Sequence, residues 1–332
     1  MPEILQHEQA EIQLLDLPGG KRRIQVNPHS ADLYIHRNGW ETAYPIELIQ
    51  RILDQKGPSY LCDEIAREED PLYVPLNLEI AIFSFVDEDH FGPGSRILDF
   101  GCGTGASGVF LGQHFPEAEI IGVELLAESL EIARARQDFY GLSNLRFLQS
   151  LSGDQLPPDL GEFDGIMLSA VFEHLLPDER LQLMPALWSM LRPGGMLFLN
   201  ETPNRLFPME LHTTGLPLLN YLPKGLAHFL ARKLSPRVDD DSSWERLLRE
   251  GIRGGTAGEV FRCLDSNAEL VRPHRQGRQD DTDLWYHGSL RRSGDSAKKR
   301  TFRSFAKGLS RISGLTLTPE ITLALRKRNG RS

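Results

Sequence analysis

Asp99, Gly101, Gly103, Gly105 and Glu124 are the residues of this chain whose types and spacing carry chemistry most directly. Asp99 belongs to the apolar run Arg96-Ile97-Leu98-Asp99-Phe100, which leads straight into Gly101-Cys102-Gly103-Thr104-Gly105. Glu124 ends a second apolar run, Ile120-Ile121-Gly122-Val123-Glu124. A strand that feeds a glycine-rich turn and then a helix forms a nucleoside-cofactor site, because glycine lets the backbone approach a ligand closely. A carboxylate at the end of the next strand can accept two hydrogen bonds from ribose hydroxyls.

The spacing Gly101-x-Gly103-x-x-Ala106, with Glu124 about 20 residues on, also satisfies the dinucleotide pattern. Charge separates the two. A dinucleotide sets a pyrophosphate against this turn and the following helix N-terminus, and Asp99 would repel it. A cofactor carrying a sulfonium and an ammonium group would be attracted instead. At this point the chain resembles the class I S-adenosylmethionine-dependent methyltransferases. The matching motifs are Ile97-Leu-Asp-Phe-Gly-Cys-Gly-Thr-Gly105, Ile121-Gly-Val-Glu124, Phe163-Asp-Gly-Ile-Met-Leu-Ser-Ala-Val-Phe-Glu-His174 and Leu191-Arg-Pro-Gly-Gly-Met-Leu-Phe-Leu199. The resemblance covers about 96–201 and implies S-adenosyl-L-methionine as cofactor. It implies an α/β, Rossmann-like fold: a seven-stranded, mostly parallel sheet with its last strand antiparallel and helices on both faces. It places cofactor contacts at Asp99, Gly101, Cys102, Gly103, Gly105, Glu124, Leu125, Ser169, Ala170 and Val171. The family often has an acid just after the third strand, against the adenine amine. Here Ser150 and Leu151 stand there, with Asp154 later in the same loop, so Leu151 is the candidate contact.

Methyl transfer is an in-line displacement, and orientation alone can supply ~7–11 kcal/mol. A hydroxyl acceptor also needs a base. His174 follows the fourth strand of the resemblance, at the carboxyl edge where ligands bind in such sheets, and imidazole titrates near neutral pH. Its alternative role is to cap or pack the next helix. Glu210 and His212 follow the fifth strand, in a segment mixing Thr213 and Thr214 with Leu216, Leu218, Leu219 and Tyr221, a plausible acceptor lining. These three are the candidate catalytic residues. A Glu-His dipeptide alone is not a metal site, and no metal ligands are assigned. The expected reaction is methylation of a small molecule or saccharide at a hydroxyl. The rival readings are a nucleic-acid methyltransferase, a non-catalytic cofactor-binding module and an oxidoreductase. Against the first, Ser169-Ala170-Val171-Phe172 lacks the Asn/Asp-Pro-Pro-aromatic signature of base-amine enzymes.

The elements that must position these residues follow from periodicity. The first 75 residues read as an extension. It has alternating strands over 11–37 around Pro18-Gly19-Gly20 and helical spacing from Tyr44 to Ile65, broken at Gly57-Pro58 and ended at Asp70-Pro71. Residues 76–203 read as the cofactor-binding core, a helix over Leu76–Val86 and then alternating strand and helix. Gly141 closes one helix. Residues 204–312 lose that rhythm and read as an insertion or substrate cap, with a polar, mobile loop over 289–299. Residues 313–332 read as closing strands, with 315–317 and 321–325 forming a hairpin, and a basic tail.

Net charge is −9, but Val271 to Ser332 holds 15 Lys/Arg against 5 Asp/Glu and the remainder 22 against 41. A basic tail either meets an anionic partner or pairs with the acidic body. The segment Leu226-Ala-His-Phe-Leu-Ala-Arg-Lys-Leu234 is amphipathic and could touch a membrane or a lipid-like acceptor, or pack as a lid. Three scattered cysteines form no disulfide framework. With no signal-peptide pattern at Met1-Pro2-Glu3-Ile4, a cytoplasmic location is expected.

Overall fold

The computed structural model describes residues 3–153, 155–264, 266–275 and 277–328. Asp154 and the last four residues of the basic tail lie outside them. The chain begins with an antiparallel sheet whose strands β1 (Glu3–His7), β2 (Ala10–Asp16), β3 (Arg22–Pro28) and β4 (Gly39–Thr42) pair in sequence order. Alternation puts Ala10, Ile12, Leu14, Ile24 and Val26 on one buried face. That face packs on α1 (Ile46–Glu69) through Leu48, Ile49, Ile52 and Leu53. Gly57, at φ 68°, kinks α1 just before Pro58, and the helix stops at Asp70, the residue before Pro71.

After α2 (Val74–Phe83) the chain enters the alternating core: β5 (Arg96–Phe100), α3 (Ala106–His114), β6 (Glu119–Glu124), α4 (Ala127–Tyr140), β7 (Leu145–Gln149), β8 (Phe163–Ser169), α5 (Pro177–Ser189) and β9 (Leu191–Pro203). Gly141 takes the left-handed conformation (φ 63°) that caps α4. Then come α6 (Lys224–Leu234), α7 (Trp244–Arg249), α8 (Ala257–Arg262), β10 (Ala268–Val271), α9 (Asp281–Ser293), α10 (Ala297–Ser313) and β11 (Glu320–Lys327). The large sheet runs β10-β11-β9-β8-β5-β6-β7. Strands β5 to β9 are parallel and β11 is antiparallel to both its neighbours. This is the expected fold. The central strands read as unbroken apolar runs because both faces are covered: α2, α3 and Leu284 of α9 pack on one, α5 and Val260 of α8 on the other.

Three expectations for the second half of the chain are corrected. Residues 204–312 are not one insertion, because β10 lies inside them and pairs with β11 at the sheet edge. Residues 315–317 form no strand; β11 pairs with β9 and β10 instead. The stretch 289–299 is the end of α9 and the start of α10, not a loop. Asp280 and Ser296 cap those helices by accepting from Asp283 N and Lys299 N. Arg303 and Lys307 of α10 close on the buried carboxylate of Asp283 at 2.6 and 2.7 Å. Much of the basic tail therefore pairs within the molecule: Arg291 bonds Glu79, and Lys327 Nζ donates to the carbonyls of Trp188, Ser189 and Leu191.

Candidate active site

The glycine turn is built by backbone constraints. Gly101 (φ 73°) donates its N–H to Val123 O at 2.8 Å, and Cys102 N–H reaches the same carbonyl at 3.1 Å. A Cβ on Gly101 would stand 2.6 Å from Val171 Cγ2, so the loop after β8 touches the turn. A Cβ on Gly105 (φ 88°) would stand 2.8 Å from Ala133 Cβ, so this glycine serves the packing of α3 on α4. Gly105 itself lines neither cavity described below.

Two cavities meet at Gly101 and Ala170. The first, ≈ 250 Å³, is mainly apolar, with Phe100, Val123, Leu125, Val171 and Leu175 in its wall beside Glu124, Ser150, His174 and Arg249. The second, ≈ 310 Å³, is polar, with Lys56, Glu64 and Arg67 of α1, the turn from Gly101 to Thr104, Ser107, Ser169 and Glu201. Glu124 lines the first and reaches back to the turn. Its carboxylate accepts from Gly103 N at 3.0 Å, Leu125 N at 2.8 Å and Leu126 N at 3.0 Å.

Asp99 is not in either wall. It is buried beneath the turn and accepts from Ser107 Oγ at 2.6 Å. Burial pushes its carboxyl up to about 7, against the Ser107 hydrogen bond and with the help of Glu124. The expected contact therefore becomes a support for Ser107, whose side lines the polar cavity. Cys102 is buried as well, and burial raises its thiol well above the ordinary range. Leu151 is 85% exposed and outside both walls, while its neighbours Ser150, Ser152 and Gly153 line the first.

Arg136 ties the N-terminal helix to this turn. Fully buried, it donates to Tyr44 Oη at 3.1 Å, to Thr104 O and Oγ1 at 2.9 Å, and to Glu64 O at 2.7 Å. Thr104 Oγ1 donates to Glu64 at 2.5 Å. The α1 residues of the polar cavity were missed from sequence because the extension was read as a separate unit. Nothing in the sequence sets Lys56, Glu64 and Arg67 apart from the other charged positions of that helix, such as Arg51, Asp54 and Asp63.

Glu201 was also missed. It sits in β9 where the register with β11 shifts, at a left-handed φ of 59°, and Ala170, just after β8, has φ 53°. Such values in side-chain-bearing residues cluster at functional sites. Glu201 accepts from Asn77 Nδ2 and from Ser169 Oγ, the latter at 3.2 Å. Burial and then Glu320 raise its carboxyl to about 7, against Arg67 and Arg292.

The three expected catalytic residues fall together but not as expected. Glu210 is buried, and its carboxylate accepts from the N–H groups of His212, Thr213 and Thr214 and from Thr214 Oγ1, at 2.5 to 3.1 Å. It organises the turn that presents His212 and is not poised as a base. His174 and His212 have ring centroids 5.5 Å apart. His174 Nδ1 donates to Arg249 O at 2.7 Å, which leaves Nε2 facing Glu173 Oε1 at 3.8 Å. Burial lowers both histidines, and His174 further lowers His212. Burial raises Glu173 to about 8. Glu173, His174 and His212 each offer one donor atom, all within 4.8 Å of one another, a set able to hold a metal ion although no metal ligands were read from the sequence.

Comparison with known proteins agrees with this geometry. A family model described as a methyltransferase domain matches residues 97–195. Trans-aconitate 2-methyltransferase of Deinococcus radiodurans is 38% identical over 112 residues, which are 34% of this chain and 40% of that protein. Demethylmenaquinone methyltransferase of Lactococcus lactis is 30% identical over 185 residues, 55% of this chain and 70% of that one. The first relatives are matched over less than two thirds of their own length, between 24% and 64%. The solved plantazolicin methyltransferase BpumL in complex with SAH is 15% identical, with 85% of this chain and 94% of that one covered and a TM-score of 0.45.

Proposed function

This chain belongs to the class I S-adenosylmethionine-dependent methyltransferase superfamily, and we propose that it transfers a methyl group from S-adenosylmethionine to a small-molecule acceptor bearing a hydroxyl, such as a saccharide. The observation that supports this reading is the pair of unlike cavities meeting at Gly101. Lys56 and Arg67 beside Glu64 suit an amino-acid zwitterion, one sign for each of its charges. The apolar wall with Glu124 suits a nucleoside, whose ribose hydroxyls find the carboxylate and whose base finds Leu125, Val171 and Leu175. When bound, the cofactor supplies a methyl carbon activated by its sulfonium. The chain's own work is to orient both partners, exclude water and take up a proton. Asp99 fixes Ser107, and Arg136 fixes α1 against the turn.

Titration calorimetry with S-adenosylmethionine, S-adenosylhomocysteine and NAD tests the reading. The first two are expected to bind and NAD is not; binding of NAD alone would overturn it.

A second reading of the acceptor rests on two helix faces. On α6, Leu226, Phe229 and Leu234 are exposed beside Arg232 and Lys233, and on α10 Phe305 and Ile312 are exposed near Arg311. Apolar ridges flanked by cations suit an anionic lipid surface, and hence a lipid-like acceptor. Cosedimentation with phosphatidylglycerol vesicles but not phosphatidylcholine vesicles is the expected result, and no difference between them removes this reading. Among the described residues no helix is long and apolar enough to cross a membrane.

A further inference from the structure

A third cavity, between α2, β9, β11 and α9, shares Glu201 with the polar cavity beside the glycine turn. Its ≈ 40 Å³ suits a head group rather than a whole molecule, since about 10–15 Å³ of such space holds one water. Asn200 lines it, is 2% exposed, and has no hydrogen-bond partner at either Nδ2 or Oδ1 among the described residues. Buried amides are nearly always paired at both ends, so one orphaned at both calls for a partner from the cavity, a water or a ligand group that displaces it. Three carboxyl groups, Glu201, Asp281 and Glu320, line the cavity with one guanidinium, Arg292. Trp285 adds a flat apolar side.

These groups select among head groups. A carboxylate or phosphate would meet three carboxyls and could not donate to Asn200 Oδ1. An ammonium could donate but not accept, and would leave Nδ2 unpaired. A hydroxyl accepts from Nδ2 and turns its one proton to the Glu201 carboxylate, a pairing that neither ion offers, and leaves Oδ1 to water. We propose that this cavity receives the acceptor as a neutral hydroxyl, positioned by Asn200 and deprotonated by Glu201. The inference rests on the methyl-transfer reading and names the acceptor chemistry and the base. The hydroxyl gives its proton to Glu201. Its oxygen lone pair forms the O–CH3 bond while the electron pair of the C–S bond returns to sulfur. The products are a methyl ether and a neutral thioether, and Glu201 then releases its proton to water. The position of Glu201 in both walls is what makes it available to an acceptor on one side and a methyl donor on the other.

The test uses the full chain loaded with S-adenosylhomocysteine and three probes of one shape: 1-propanol, propylammonium and propionate. Saturation-transfer NMR is expected to show 1-propanol bound in preference to the two ions. Asn200→Leu should reduce the alcohol signal about tenfold, the weight of lost hydrogen bonds. Its thermal midpoint should hold or rise, because an orphaned amide is removed; a structural role for Asn200 would lower it. Glu201→Gln should keep the alcohol signal but, when methyl-labelled S-adenosylmethionine replaces S-adenosylhomocysteine, slow transfer of the label to 1-propanol at least about a hundredfold, the low end of general-base catalysis. Equal or stronger signals from propionate or propylammonium, or an alcohol signal unchanged in Asn200→Leu, would overturn the proposal. If S-adenosylmethionine itself fails to bind, the methyl-transfer reading fails; if it binds while the alcohol does not, only this inference fails.

Discussion

The glycine turn and the acceptor side of Glu201 are built by different means. The turn is mainly a backbone device: left-handed glycines and two N–H groups on one carbonyl shape it, and the Glu124 carboxylate accepting three amides fastens it. The acceptor side is a side-chain device assembled from α2, β9, β11 and α9, elements separated by as many as 245 positions between Asn77 and Thr322. The first is rigid and suits a cofactor shared by many enzymes. The second can change one residue at a time, which is where specificity for an acceptor belongs.

The sharpest way to break this contrast is to loosen the frame. Arg136→Met strands Glu64 and Thr104 without their buried cation and should cost about 3–5 kcal/mol of unfolding free energy, read by urea denaturation. Cofactor binding should weaken with it, because α1 carries Lys56, Glu64 and Arg67 of the polar cavity. Next comes Glu124→Ala. The lost charge-assisted hydrogen bonds are worth about 1.5–3 kcal/mol each, so affinity for S-adenosylmethionine should fall on the order of a hundredfold by calorimetry. The fold should persist, since Glu124 is at the protein surface of the cavity. If Glu124→Ala leaves affinity intact, the apolar cavity does not hold the nucleoside. Arg67→Met should be milder, roughly tenfold for one ion pair with the zwitterion, and should leave the acceptor-side probes untouched. An equal effect on both sides would show that the two regions are not separable.

The same contrast explains what could be read in advance. Strands β5 to β9 and the turn were legible because their signals are local: apolar runs, glycine spacing and the Gly141 cap. Asp99 was legible as important but not as buried, since a sequence does not say on which side of a turn a carboxylate lies. Glu210 carried the right residue type in the right segment, yet its four hydrogen bonds come from its own next turn, a geometry that spacing alone leaves open. Glu201 and Asn200 looked like the tail of a strand. Their roles depend on α9, which the polar composition of 289–299 disguised as a loop.

The smallest effect concerns four buried carboxyls in and around the two regions. Burial raises Glu173 to about 8, Glu201 and Asp99 to about 7 and Asp281 to about 6. Each binds its proton more tightly in the folded chain than in the unfolded one, where carboxyls titrate near 4. Between those values the native state holds more protons, so stability falls as pH rises from about 4 to about 8. Most globular proteins lose stability toward acid through carboxylates that folding stabilises, and these four contribute in the opposite direction. Glu173→Gln isolates one member. Its Oε2 accepts from Thr202 Oγ1 at 2.9 Å, a bond the Gln carbonyl can keep. Thermal midpoints measured from pH 4.5 to 8 should therefore decline less steeply in the variant than in the parent chain. An unchanged slope would mean that Glu173 is ionised in the folded protein, held by a cation shared with His174 and His212 rather than by its own proton.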